Sequence, residues 1–201
     1  MRMKARRITT VLVAAFLLFA TGVVVYGLRV RQSAQVLFES AREIQSTIDA
    51  GQQIATWRHR SGRSFEEKTS PDGRDHSYDI RIQNGLLHHL RIVPPTMAAM
   101  TVIMRDGELR SVIVVMFSGR GPSTTSGIWV QEWFDSDTVR GFRVNPKGRP
   151  WKATVDFSAA VPKAEREKAF ELNAECFVQL GGCRSAEDIL PGVWELGVGH
   201  Q

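Results

Sequence analysis

Five histidines, two cysteines and scattered carboxylates are the side chains with which this sequence could hold a metal or move a proton. His88 and His89 are the first candidates for a metal. They fall in a stretch that reads as a strand, where neighbouring side chains point to opposite faces, so one ion cannot take both. Hydrogen-bonded sheet histidines are the expected reading. Asp72, Asp75 and His76 gather in a loop and have the donor types for a cation, but they lack the glutamate and ligand pattern of an EF-hand. Solvated loop charges are expected there. No serine sits in a G-x-S-x-G elbow, neither cysteine has a paired catalytic histidine, and Gly119-Arg120-Gly121 lacks a P-loop lysine in place. Asp135 and Asp137 fall in a turn, where carboxylates are ordinary. No catalytic set, metal or cofactor is assigned on these grounds. A hydrolytic site assembled only in three dimensions would need at least two of His59, His76, His88, Asp75 and Glu132 within hydrogen-bond reach.

The cysteines suggest a different chemistry. Cys176 and Cys183 flank a Gly181-Gly182 reversal in NAECFVQLGGC, after a helix expected from Pro162 through Leu180. Such a reversal brings two Cα atoms within the ~4.4–6.8 Å that a disulfide requires. The spacing excludes a C-x-x-C redox site, and without nearby histidines the pair is not a zinc site. A disulfide is expected, with two small buried thiols as the alternative, and it would place the domain outside the cytosol.

Aromatic side chains provide the candidate binding surfaces. Trp129, Gln131 and Trp133 alternate with Val130, Glu132 and Phe134, so the tryptophans share one face of a strand. An open tryptophan face would bind peptide, glycan or lipid; an inward one would be packing, which is the expected reading. Trp57 and Arg58 begin a basic stretch ending at Arg63 that has the chemistry for anionic lipid head groups, although charges at a helix end more often face solvent.

These residues need a scaffold, and its first element is an anchor. Ile8 to Leu28 is an uncharged run, long enough as a helix at ~1.5 Å per residue to cross the roughly 30 Å hydrocarbon layer. A signal peptide has a shorter apolar region, and the candidate cleavage site Gln32-Ser33-Ala34 is a poor one. Arg2, Lys4, Arg6 and Arg7 precede the run, against Arg29, Arg31 and Arg42 after it. This bias favours a cytoplasmic N-terminus, an inner-membrane location and an extracytoplasmic domain. The whole chain has 26 Lys and Arg against 21 Asp and Glu, for a pI near 9.6. Six of the basic residues and none of the acidic ones lie in residues 1–31, so the remainder is close to neutral. That argues against a nucleic-acid partner.

The expected organisation is a basic tail over 1–7, a transmembrane helix over 8–28, a juxtamembrane helical segment over 29–60 and a domain over 61–201. Within the juxtamembrane segment, an amphipathic helix over Ser33–Ala50 is broken at Gly51 and followed by a short helix over Ile54–Arg60. Residues 61–76 read as a loop. Tyr78, Ile80 and Ile82 alternate with polar residues before Asn84-Gly85, predicting a hairpin that pairs Ile82 with Leu86 and Ile80 with His88. Asp106-Gly107 predicts a second hairpin, pairing Arg105 with Glu108 and Met104 with Leu109. Val112–Phe117 is apolar on both faces and reads as a central strand covered on both sides. Ile128–Phe134, Phe142–Asn145 and Trp151–Phe157 complete the strands. Short connections predict an α+β fold, an antiparallel meander of about six or seven strands with flanking helices.

The C-terminal FELNAECFVQLGGCRSAEDILPGVWEL resembles that of uncharacterised bacterial envelope proteins of an acidobacterial type. These have an N-terminal hydrophobic helix, a strand-rich middle and a helix ending in a C-x6-C segment before Leu-Pro. The resemblance implies an envelope location and no particular activity. A protein, lipid or glycan of the envelope is the expected partner.

Overall fold

A computed structural model describes residues 2–60, 64–119, 125–134, 143–146 and 152–196. Helix α1, Arg2–Glu43, is unbroken, so the apolar run and the first part of the juxtamembrane segment are a single rod about 63 Å long at ~1.5 Å per residue. The hydroxyls of Thr21 and Ser33 donate to the carbonyls of Leu17 and Arg29 one turn back, which satisfies them inside the helix. From Val30 onward the rod becomes part of the domain. Val30, Ala34, Leu37, Phe38 and Ala41, which share one helical face, are buried in its core, as is Ile44 just past the helix end.

The chain turns at residues 44–46 rather than at Gly51, which lies inside α2, Thr47–Arg60. The cause is local chemistry. The Ser46 hydroxyl accepts from the Asp49 N–H, and the Asp49 carboxylate accepts from the Ser46 hydroxyl and the Gln45 N–H, so a new helix starts there. Gly51 points into open space and costs α2 only about 1 kcal/mol relative to alanine.

Seven strands form one sheet in the order β1-β2-β3-β4-β5-β7-β6. They are β1 Phe65–Thr69, β2 Asp75–Gln83, β3 Thr96–Arg105, β4 Glu108–Ser118, β5 Ser126–Trp133, β6 Arg143–Pro146 and β7 Lys152–Ser158. The Asp106-Gly107 turn forms as predicted, pairing Arg105 with Glu108 and Met104 with Leu109. Both turn residues have positive φ, 52° and 85°, as a two-residue hairpin turn needs.

Three expectations are corrected. The predicted loop contains β1, a charged edge strand whose Glu66 and Lys68 pair with Arg81 and Asp79 on β2; charge blunts an exposed sheet edge. The Asn84-Gly85 hairpin does not form. Gly85–His89 is a short helix, α3, and β2 pairs with β3 instead. The sheet is not wholly antiparallel, because β7 inserts between β5 and β6 and runs parallel to β5. Ala153, Thr154, Val155, Phe157 and Ser158 are all buried, so β7 suits an interior position, leaving the four-residue β6 at the edge.

The last helix is also shorter than expected. α4, Lys163–Ala169, stops before Asn173, whose side chain accepts from the Glu175 N–H and starts a 3-10 turn over Ala174–Phe177. A helix of one turn, α5 Ala186–Ile189, opens on a Ser185–Asp188 capping box, and Leu190 and Val193 pack fully into the core. Trp151, the Pro146-Lys147-Gly148 turn beyond Pro146, and the Asp135 and Asp137 carboxylates lie outside the described residues.

Candidate binding surface

The register defines the two faces of the sheet. Ile80, Met100, Val114, Val130 and Val155 form one cross-strand row, flanked by Ala98, Met116 and Ile128. This face carries the helices, and its residues join those of α1, α2, α4 and α5 in one hydrophobic cluster. The opposite face presents Met97, Ile103, Ile113, Val115, Phe117, Trp129 and Trp133, none of which belongs to that cluster. Trp129 is 39% exposed and the others are half-buried.

The tryptophans therefore sit on the open face, and the packing expected of them is corrected. The same holds for the central strand. In β4 Val112, Val114 and Met116 are buried, whereas Ile113, Val115 and Phe117 are only half-buried, so β4 is covered on one side. The part of α1 from Val30 onward and the C-terminal segment up to Leu196 place their buried apolar residues on the same side of the sheet.

The open face has an apolar middle and a polar margin. Phe117 lies over Gly127 on the neighbouring strand, where an added Cβ would come within 2.4 Å of the ring. Trp129 Nε1 donates to Gln131 Oε1 at 3.3 Å, and Thr101 Oγ1 donates to Asp79. Lys68 and Arg81 reach Asp79 at one margin. A recess of about 300 Å³ adjoins one end, beside Met97, Phe117 and His88.

Trp57 and Arg58 take no part in this surface. Trp57 is 5% exposed and belongs to the core on the helical side, while Arg58 is exposed, ion-paired to Glu67 and stacked over Phe65. Trp57 also lines a groove of about 560 Å³ between α1, α2 and β2.

The side chains considered for catalysis have separate partners. His76 Nδ1 meets Thr69 Oγ1 at 3.1 Å. Asp75 accepts twice from Arg105, and that contact holds its carboxyl below the ordinary carboxylate range. Asp72 accepts from Ser70 and from the Arg74 N–H. His88 and His89 are exposed on α3, a helix rather than the expected strand, and His59 is exposed on α2. Among the described residues no hydrogen bond joins two of His59, His76, His88, Asp75 and Glu132. Nor do three His, Cys, Asp or Glu side chains there gather as a metal site.

Glu132 instead lies on the helical face in a buried ion pair that the sequence did not reveal. Arg166 Nε donates to its Oε1 at 2.6 Å, with the two side chains 5% and 1% exposed. The rest of the Arg166 guanidinium donates to the carbonyls of Ala41, Arg42 and Ile44, the unsatisfied end of α1. Glu132 Oε2 has no partner among the described residues. Burial raises the Glu132 carboxyl above its ordinary value, with the Arg166 hydrogen bond opposing the rise.

Cys176 and Cys183 are bonded, with Cα atoms 5.2 Å apart and both side chains buried. Closing a loop of this size stabilises by roughly 2–3 kcal/mol through the unfolded chain. Chemical unfolding with and without reductant is expected to differ by that amount. Identical midpoints would show that the bond contributes nothing.

No protein-family model matches the chain, and no curated protein or solved structure shows significant similarity to it.

Proposed function

We propose that this is a membrane-anchored, noncatalytic domain that recruits another envelope protein through the open, tryptophan-bearing face of its sheet. The observation that carries the reading is this face: an apolar middle with Trp129 exposed, bordered at one margin by charged side chains. That is the anatomy of a protein interface, and tryptophan is enriched at its energetic centre. A broad sheet face suits a protein better than a small ligand, which needs a concave site.

Anchoring is supported by α1. An 18-residue window of it has a mean hydropathy of 2.5 and is only 6% buried, so the core of the domain does not account for its apolar surface. Cleavage at Gln32-Ser33-Ala34 would cut inside the helix and through the core, where Ala34 is fully buried. The disulfide favours an extracytoplasmic side, in line with the flanking basic residues. The resemblance of the C-terminal segment to acidobacterial envelope proteins agrees with an envelope location.

Membranes solubilised in mild detergent provide the test. The chain is expected to migrate in an assembly containing a second, different protein, and Val115→Lys on the open face is expected to release it. Ile48→Lys, at an equally apolar but remote site 73% exposed, should leave the assembly intact. A complex made only of this chain, or one indifferent to Val115→Lys, would overturn the proposal.

A further inference from the structure

The junction between α1 and the domain lies lower on the rod than the expected division at Leu28. Gly27 is buried, and a Cβ placed there would be 3.4 Å from Val178 and 3.6 Å from Leu87. Tyr26 is packed against the core, and its hydroxyl accepts from the Leu86 N–H at 3.4 Å. Tyr26 and Gly27 both belong to the uncharged run that would cross the bilayer. The segments touching them must therefore lie at the bilayer surface, at the depth where the run ends.

These segments present apolar side chains to the outside. Leu86, in the first turn of α3, is 43% exposed, and Leu180, two residues beyond Val178, is 75% exposed. Asn84 ties the segments together by donating to the Phe177 carbonyl at 3.2 Å, and the disulfide closes the second one. Basic groups stand beside both leucines. Exposed His88 and His89 follow Leu86 in α3, and the Arg184 guanidinium lies over Gly181, next to Leu180. Apolar tips, with a guanidinium beside one and polar imidazoles beside the other, suit an interfacial membrane contact.

We infer that α3 and the disulfide loop form a foot that rests on the membrane, with Leu86 and Leu180 inserted at the head-group boundary beside α1. The foot rests on the anchoring reading of α1 and extends it. The domain is not suspended above the bilayer on a flexible stalk; it is seated on it. Its lipid contact comes from the foot and not from Trp57 and Arg58.

The test uses the full chain in nanodiscs of phosphatidylethanolamine and phosphatidylglycerol, with a diazirine amino acid placed singly at position 18, 86, 180 or 48. Leu18, 76% exposed, reports the span, whereas Ile48 is comparably exposed but lies more than a dozen helical residues beyond the foot. After irradiation, lipid adducts counted by mass spectrometry are expected at 18, 86 and 180, each several-fold above 48. Adducts at 18 with only the level of 48 at 86 and 180 would overturn the foot and leave the anchor standing. An absence of adducts at 18 would overturn the anchor, and the foot with it. Equal labelling at 48 and 180 would also overturn the foot, since contact would then follow exposure alone.

Discussion

Arg166→Met is expected to lower the unfolding free energy by about 3–5 kcal/mol, the range for removing one partner of a buried ion pair. The substitution retains most of the side-chain volume and the contact with Phe170, over whose ring the guanidinium now lies at 5.4 Å. What it removes is charge and hydrogen bonding. Glu132 would remain 1% exposed without a counter-ion, and the carbonyls of Ala41, Arg42 and Ile44 would lose a donor at the end of α1. Denaturant unfolding of the detergent-solubilised chain measures the loss. A companion variant separates the two causes. Adding Glu132→Leu to Arg166→Met removes the stranded carboxylate but not the loss at α1, so the double variant should recover part of the stability and not all of it. Equal losses in the single and double variants would mean that the carboxylate is not what makes the arginine important.

The same pair gives a pH dependence with a defined sign. Burial raises the folded-state pKa of Glu132 above its ordinary 4.5. A carboxyl raised in this way contributes stability that is fully present below its unfolded value and is lost as the pH climbs through its folded one. From about pH 4.5 upward this group therefore works against the fold. Glu132→Gln should flatten that part of the stability profile. Asp75 and Asp106, whose carboxyls are lowered by hydrogen bonds from Arg105 and Arg74, contribute with the opposite sign and at lower pH. Subtracting the profile of the Gln variant isolates the Glu132 contribution from theirs.

Sequence reasoning succeeded where structure is decided locally. The Asp106-Gly107 turn and the apolar run of α1 both depend on neighbours a few residues apart. It failed where distant partners decide. Alternation separated Trp129, Gln131 and Trp133 from Val130, Glu132 and Phe134, but the two sets are equally apolar, with one polar residue each. The choice of inner face was made by α1, α4 and α5, which all pack on one side. Strand β1 was illegible because FEEKT has a single apolar residue; its pairing relies on Phe65 stacking near Tyr78 and on charges answered by β2. The Ser46–Asp49 start of α2 was legible in principle, since a serine three residues before an acid is a helix-start signal. The more familiar breaking power of Gly51 obscured it.

Asn84 is where one local signal had two meanings, and it carries the second large prediction. As Asn-Gly it reads as a hairpin turn, yet its side chain is 1% exposed and acts as a bolt between three segments. Nδ2 donates to the carbonyls of Pro94 and Phe177, at 2.9 and 3.2 Å, and Oδ1 accepts from the Thr96 N–H at 2.9 Å. An amide is the side chain that offers two donors and an acceptor in this volume. Asn84→Leu leaves all three backbone groups without that partner. At roughly 1–3 kcal/mol for each stranded group, reduced where the chain relaxes, the loss should be about 3–5 kcal/mol. Asn84→Asp is the sharper probe, because it preserves shape and the acceptor for Thr96 but turns a carboxylate toward two carbonyl oxygens. It should be at least as damaging as leucine if hydrogen bonding rather than volume holds the bolt. Hydrogen exchange would locate the effect, with faster exchange at the amides of α3 and the disulfide loop and little change along β4. An Asn84→Asp protein as stable as the parent, with α3 amides still protected, would show that packing alone joins the foot to the sheet.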